Sequence, residues 1–370
     1  MNPIKISQGG KLETGSKIKV TQKNLAEVYT PGVAQVCLAI KKNPEKARGL
    51  TWKNRTIAVI SDGTAILGLG NIGPEAGLPV MEAKSLLFKQ LGGIDAVPIV
   101  LNTTNPKEII KTIKNIAVSF GGINLEDIAA PACFKIERSL RHSLAIPVFH
   151  DDQDGTAIVT LAGLINATKV VNKNLKTAKI VISGAGAAGI AIAQLLLAYG
   201  CKNITLFDSR GSIYRGRKNL NFIKREIAKK TNLSQKTQTL KEGISGADIF
   251  IGVSGPKLLS LGDVKKMNKG AIIFAMANPV PEIMPQNAVK AGAIVVATGR
   301  SDFPNQINNA LVFPGIFKGA LKNQIKLITQ KHKLAAANAL SNLIKKPTKV
   351  NLLPKVTDQK AVEAVAKIFE

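Results

Sequence analysis

Residues 179–208, KIVISGAGAAGIAIAQLLLAYGCKNITLFD, carry the pattern that decides the fold. The apolar run KIVIS reads as a strand that ends at Gly184, Gly186 and Gly189. The Ala/Ile/Leu stretch after it reads as a helix stopped by Gly200, since glycine tolerates the left-handed backbone at a helix C-terminus. A second apolar run, ITLFD, ends in Asp208, 24 residues beyond the first glycine. Strand, G-x-G-x-x-G turn, helix and acid-tipped strand are the parts of a dinucleotide site. The glycines permit a tight turn and close backbone approach, the helix N-terminus faces a pyrophosphate, and the acid accepts from a ribose hydroxyl. Gly184, Gly186, Gly189 and Asp208 are therefore expected to bind the cofactor.

Working outward, ADIFIGVSG, AIIFAMANP and AIVVATG follow as further strands separated by Lys/Asn-rich helical stretches, a doubly wound parallel sheet over about 160–310. Upstream, TIAVISDG, IDAVPIVLN and LAIPVFHDD are strand signals, with helical patterns such as MEAKSLLFKQ between them. At the end of the chain, KHKLAAANALSNLIKK and DQKAVEAVAKIFE read as amphipathic helices that pack back on the domains. The expected architecture is α/β: an N-terminal α/β domain over 1–155, then a Rossmann-type domain with a C-terminal helical extension over 156–370.

The 370 residues carry 51 Lys+Arg against 24 Asp+Glu, a net charge of +27, which makes nucleic acid the first partner to consider. Against it, only nine of the cations are Arg, the Lys are dispersed, and aromatics are 4% with no stacking stripe. A basic nucleic-acid-binding protein on an enzyme fold thus rests on charge alone, and salt-sensitive DNA or RNA binding would mark it. A hydrophobic content of 45% is enough for a sizeable core. No uninterrupted apolar run reaches about 18 residues, and MNPIKISQGGKLETGSK lacks the apolar stretch of a signal peptide. A cytoplasmic protein without membrane contact is expected. Cys37, Cys133 and Cys201 read as reduced packing residues, and His142, His150 and His332 lack metal-ligand spacing.

With acids so sparse, their clusters stand out: Glu126 and Asp127 in NLEDI, and Asp151, Asp152 and Asp154 in FHDDQDG. Carboxylates from two segments suit Mg²⁺ or Mn²⁺, although DD before Gly is also a turn or cap signature. A second glycine motif, Gly68, Gly70 and Gly73, is followed by Pro74 and Pro79, and its next strand ends in Asn102. It reads as a tight turn packing strand on helix, because the prolines punctuate the helix that a phosphate cradle would need. Tyr29 in VYTPGVA has a loop reading. Lys84 lies within an apolar helical pattern, where burial would lower its pKa toward the range of a base.

Taken together, VYTPGVAQVCLAI, SDGTAILGLGNIGPEAGLPVMEAKSLLFKQLGGIDA, FGGINLEDIAAPACF, IPVFHDDQDGTAIV, SGAGAAGIA, MANPVPEI and TGRSDFPNQINNALVFPGIFKGAL resemble the malic enzymes, in particular bacterial members without a C-terminal acyltransferase domain. The resemblance implies oxidative decarboxylation of L-malate to pyruvate and CO₂ with NAD⁺ or NADP⁺ and a divalent metal. It implies Tyr29 as general acid and Lys84, neutral before reaction, as general base. Glu126, Asp127 and Asp152 match the family's metal ligands, with Asp151 beside them. Asn278, and Asn308 or Asn309, match positions that hold malate or the nicotinamide end of the cofactor. A homodimer or tetramer is implied as well. Malate decarboxylation to lactate, or oxaloacetate decarboxylation alone, would use the same fold.

Two positions depart from the bacterial pattern: Asp154 stands where relatives have His, and Ala132 replaces a common acid. The first puts pH dependence and metal preference in question. Asp208 favours NAD⁺ by repelling a 2′-phosphate, whereas Ser209 and Arg210 could accommodate one, so the expectation is NAD⁺ with NADP⁺ possible.

Overall fold

In the structure, a computed structural model describing residues 2–370, the chain begins with four short helices: α1 (Pro3–Ser7), α2 (Leu25–Val28), α3 (Gly32–Lys42) and α4 (Ala47–Leu50). None of the four buries a side chain. A sheet follows, built from β1 (Thr56–Ser61), β2 (Asp95–Val100), β3 (Gly122–Leu125) and β4 (Val148–His150) in the order β2-β1-β3-β4, every pair parallel. Its crossovers are α5 (Pro74–Gly92), α6 (Pro106–Ile116) and α7 (Ala132–Ser143). All six residues of β1 are buried, as a parallel sheet covered on both faces requires.

After β4, one π-helical turn, Asp151–Gly155, runs directly into α8 (Thr156–Val170). That helix is buried along nearly its whole length and leads to the second sheet. The remaining elements are β5 (Ile180–Ser183), α9 (Ala187–Tyr199), β6 (Ile204–Asp208), β7 (Gly211–Ser212), α10 (Phe222–Ala228), α11 (Leu240–Ile244), β8 (Ile249–Gly252), α12 (Leu261–Lys265), β9 (Ile272–Ala275), α13 (Pro285–Lys290) and β10 (Val295–Thr298). The sheet order is β10-β9-β8-β5-β6-β7, parallel except for the β6–β7 edge. The chain winds outward from β5 in both directions, so the crevice between β5 and β8 is the topological switch point where a dinucleotide binds.

The chain ends with α14 (Phe313–Lys322), α15 (Gln330–Asn342) and α16 (Gln359–Ala366), which do pack back on the body. Phe88 of α5 meets Phe313 and Phe317 of α14 at 4.5 and 5.5 Å between ring centroids, and Phe317 meets Phe149 of β4 at 6.1 Å. One continuous apolar core therefore joins the first sheet, α8, much of the second sheet and the final helices.

Three local features differ from the sequence reading. Strand β3, GINL, has too little apolar run to signal itself, and β7 is only two residues long. Pro79 does not interrupt α5 but lies inside it, where the carbonyl it leaves unpaired belongs to exposed Glu75 in the first turn. Cys133 and Cys201 are buried as expected, whereas Cys37 is exposed on α3.

Candidate active site

Parallel pairing sends the C-terminal ends of β1, β3 and β4 to one edge of the first sheet, and the acidic segments lie at that edge. Glu126 and Asp127 follow β3 directly, and Asp151–Asp154 follow β4. Asp127 has a left-handed backbone, φ 53°, a conformation that Asp adopts more readily than most residues. Its amide donates to Asp152 Oδ2 at 2.7 Å, which ties the two segments together. One carboxylate oxygen from each of Glu126, Asp127 and Asp152 falls within 4.8 Å of the others.

Lys84 reaches this cluster from α5. Its Nζ donates to Asp151 Oδ2 at 2.6 Å, pairs with Glu126 Oε1 at 2.8 Å and lies 4.3 Å from the centroid of the Phe313 ring. The side chain is buried, as its apolar helical setting suggests, but its pKa moves the opposite way from the sequence expectation. Burial alone would lower it; Asp151 and Glu126 outweigh burial and hold the ammonium charged, well above the usual range for lysine.

The carboxylates pay for this crowding with protons. Burial raises Glu126 to about 7 despite Lys84, with Asp152 adding repulsion. Burial, then Asp152 and Glu126, push Asp127 up to about 9. Burial also lifts Asp151 to about 7 and Asp152 to about 6. Asp127 Oδ2 is buried with no hydrogen-bond partner. Three clustered carboxylates, one with an orphaned oxygen and only Glu126 paired with a cation among the described residues, fit a hard divalent cation.

Behind the cluster lies a second buried layer. Asp154 Oδ1 accepts from Lys333 of α15 at 2.5 Å, both side chains about 9% exposed. Glu137 of α7 pairs with Arg141 at 3.3 Å, and burial followed by Asp154 raises it to about 7. His150 is fully buried and pushed down to about 4 by burial, hence neutral. Lys333 was not anticipated: it is 179 positions from its partner in a Lys-rich chain.

At the second sheet, the glycines are used as the motif requires. A Cβ on Gly184, φ 110°, would come within 2.6 Å of the Val253 carbonyl, and one on Gly189 within 1.8 Å of the Gly184 carbonyl. Gly186 faces open space. Asp208 ends β6 beside the turn, but its carboxylate is not free. Arg217 Nη2 donates to both oxygens, at 2.7 and 2.9 Å, and Lys224 Nζ donates to Oδ2 at 2.7 Å. Burial would raise its pKa, yet Lys224 and Arg217 more than compensate and hold it below the ordinary value.

The loops between the two sheets hold the other expected residues. Asn278 is exposed after β9, and its carbonyl is 2.4 Å from where a Cβ on Gly68 would stand. The first glycine motif thus makes a close packing turn against the MANP loop. Asn308 accepts from the Ala310 amide at 2.9 Å and caps a short 3₁₀ turn. The Asn309 Cβ is 3.2 Å from the Cβ position of Gly155, next to the acidic turn. Tyr29 is not brought to the cluster: it caps α2, is 67% exposed and makes no side-chain hydrogen bond among the described residues.

Comparison with known proteins agrees over both halves of the chain. Residues 10–141 match the family model for the malic enzyme N-terminal domain, and residues 153–368 match that for the malic enzyme NAD-binding domain. The NAD-dependent malic enzyme of Geobacillus stearothermophilus is 53% identical over 96% of this chain and 75% of its own length. The bifunctional malic/malolactic enzyme of Bacillus subtilis is 52% identical over 98% of this chain and 89% of its own. Among solved structures, the NAD-dependent malic enzyme of Thermotoga maritima superposes with a TM-score of 0.97 at 44% identity, covering 100% of this chain and 99% of that one.

Proposed function

The chain belongs to the malic enzyme family, oxidoreductases that decarboxylate L-malate to pyruvate and CO₂ with NAD⁺ or NADP⁺, and we propose how its residues divide that reaction. The carrying observation is Lys84, buried at hydrogen-bond distance from both Asp151 and the cation-binding candidate Glu126. Residues 1–155 supply the acid–base and metal groups, and residues 156–370 bind the coenzyme.

Glu126, Asp127 and Asp152 would hold Mg²⁺ or Mn²⁺, which when bound supplies Lewis acidity for the loss of CO₂ and draws carboxylate charge away from Lys84. Lys84 Nζ, relieved of its proton, takes the proton of the malate C2 hydroxyl as hydride leaves C2 for the nicotinamide. Asp151 keeps Nζ oriented throughout, because its hydrogen bond to Lys84 does not depend on substrate. Cleavage of the bond from C3 to the departing carboxylate then releases CO₂ and leaves the pyruvate enolate; Tyr29 protonates its C3, and the proton that Lys84 lifted from oxygen makes good the one Tyr29 gave to carbon. Both groups end as they began. Asn278 and Asn308 or Asn309 hold malate and the nicotinamide end, and Gly184, Gly186, Gly189 and Asp208 hold the rest of the coenzyme.

A mixture of protein, malate, Mn²⁺ and either coenzyme should generate reduced nicotinamide absorbance. No malate-dependent reduction with either coenzyme overturns the reading.

We also propose that the working form is a homo-oligomer, a dimer or tetramer in the cytoplasm, in which the arm of residues 2–55 rests on a second copy. Ile18, Val20, Leu25, Leu38 and Leu50 are all exposed on this arm, beside Tyr29, and a second copy would cover them. No helix among the described residues is long and apolar enough to cross a membrane. Similarity to the B. subtilis bifunctional enzyme supports a second product, lactate, made when pyruvate is reduced before leaving the site. Product analysis under catalytic amounts of coenzyme separates lactate from pyruvate.

A further inference from the structure

We propose that Lys333 is a positioning residue for the cation cluster: by holding Asp154 from α15, it fixes the turn that presents Asp151 and Asp152. This rests on the reading of Glu126, Asp127 and Asp152 as the cation's ligands. Lys333, Ala336, Ala337 and Leu340 fall at i, i+3, i+4 and i+7, and all four are buried on α15. A lysine therefore occupies a place on an apolar stripe that leucine would fill. Burying its ammonium with the Asp154 carboxylate, each side chain 9% exposed, costs free energy that their mutual attraction does little more than offset. An apolar pair of similar volume would hold α15 equally well. What an apolar pair does not do is fix the direction of one side chain.

Direction is what the turn after β4 requires. Asp151–Gly155 is a single π-helical turn, a rare geometry that occurs mostly at functional positions of helices. Its three acids reach three different elements. Asp151 Oδ2 accepts from Lys84 of α5 at 2.6 Å, Asp152 Oδ2 from the Asp127 amide after β3 at 2.7 Å, and Asp154 Oδ1 from Lys333 of α15 at 2.5 Å. Lys84 and Asp127 belong to the reacting centre themselves, whereas Lys333 stands outside it. The outer anchor is also rigidly mounted. Arg141 Nη2 of α7 donates to the Ile328 carbonyl at 2.5 Å just before α15 begins, and the Thr329 hydroxyl caps the helix by accepting from the His332 amide at 3.3 Å. The turn has no slack to absorb a shift, since a Cβ on Gly155 would overlap Asp151 Oδ1. Releasing Asp154 therefore re-aims Asp152 and Asp151, two and three positions before it.

The test is Mn²⁺ binding to the full chain without malate or coenzyme, read from the electron paramagnetic resonance of the free ion. Lys333→Met combined with Asp154→Asn removes the anchor without stranding a charge. It should leave the unfolding midpoint near that of the unaltered chain yet raise the Mn²⁺ dissociation constant by about tenfold or more, the scale of a lost outer partner of a metal site. Asp154→Asn alone still offers Lys333 an amide oxygen, and should raise the constant less than about threefold. Lys333→Met with Asp154→Leu, an all-apolar pair, answers the same question if the first pair does not fold. A smaller rise in a folded double variant overturns the proposal, because the ion pair would then only stabilise. Weakening by Asp154→Asn alone to the same degree as the double variant also overturns it, by making the charge of the carboxylate the agent. Asp127→Asn separates the two readings. If Asp127→Asn abolishes tight Mn²⁺ binding while the double variants keep it, this inference fails alone; if Asp127→Asn leaves binding unchanged, the ligand assignment fails and this inference with it.

Discussion

Lys84 and Tyr29, the two groups assigned to proton transfer, sit in opposite kinds of structure. Lys84 is buried on a 19-residue helix, held by two carboxylates and an aromatic face. Tyr29 stands two-thirds exposed on an arm whose helices bury nothing. The base candidate is positioned by the fold of its own chain; the proposed homo-oligomer would have to position the acid candidate. A single copy thus brings Lys84 to the carboxylate cluster but leaves Tyr29 exposed on the arm, and under the proposed assembly the exposed apolar side chains of the arm would be where a second copy meets it.

The sharpest break of this contrast is at Lys84. Lys84→Ala should lower turnover by about 10³-fold, the scale of a lost general base. It should also destabilise the fold by roughly 3–5 kcal/mol, because Glu126 and Asp151 lose the cation they are buried against. Activity and unfolding midpoint should fall together, and retention of a tenth of the activity would refute the assignment. Tyr29→Phe should instead cost about 10²-fold in turnover with the unfolding midpoint unchanged, since the hydroxyl holds nothing in the fold. Mixing the two dead variants tests delivery in trans. If one copy lends Tyr29 to its partner, refolded mixtures recover roughly a quarter of wild-type activity, from the one intact site in each mixed dimer. No recovery would put Tyr29 back in its own subunit's site.

A smaller effect is expected behind the cluster. Lys333→Met should destabilise the chain by about 3 kcal/mol by stranding Asp154, and adding Asp154→Asn should restore most of the loss. Denaturant unfolding of the two single variants and the double variant measures this. Strict additivity would mean that the pair does not act as a unit, and that the buried centre owes less to charge pairing than its geometry indicates.

The legible part of the molecule followed from local pattern. Apolar runs announced β1, β2, β4 and β5 and the remaining long strands, and the spacing from Gly184 to Asp208 identified the dinucleotide unit. Nonlocal charge was not legible. Lys84 could be guessed as buried, but the direction of its pKa depends on Asp151 and Glu126, which arrive from other strands. Arg217 and Lys224 read as two more surface cations until the fold returned them to Asp208. The same holds for Lys333 and Asp154: a position that departs from its relatives in sequence proved to be answered by a cation far along the chain. Composition concealed these partners because Lys is everywhere, whereas the rare acids could be singled out.

The last way to sharpen the contrast uses pH. Glu137 is buried on α7, facing Asp154, Lys333 and Arg141. Burial, then Asp154, raise its pKa from 4.5 to about 7, while Lys333 and Arg141 oppose the shift. A carboxyl with a raised folded-state pKa binds its proton more tightly folded than unfolded. Its contribution is therefore full below about 4.5 and is lost as pH rises to about 7. Glu137→Gln, which cannot ionise but still accepts from Arg141, should flatten the decline in stability between pH 5 and pH 8 by roughly 2 kcal/mol. Urea midpoints at constant Mn²⁺ measure the slope. An unchanged slope would mean that Lys333 and Arg141 keep Glu137 ionised throughout, and that the acids of this buried layer, unlike those around Lys84, are fully matched by cations.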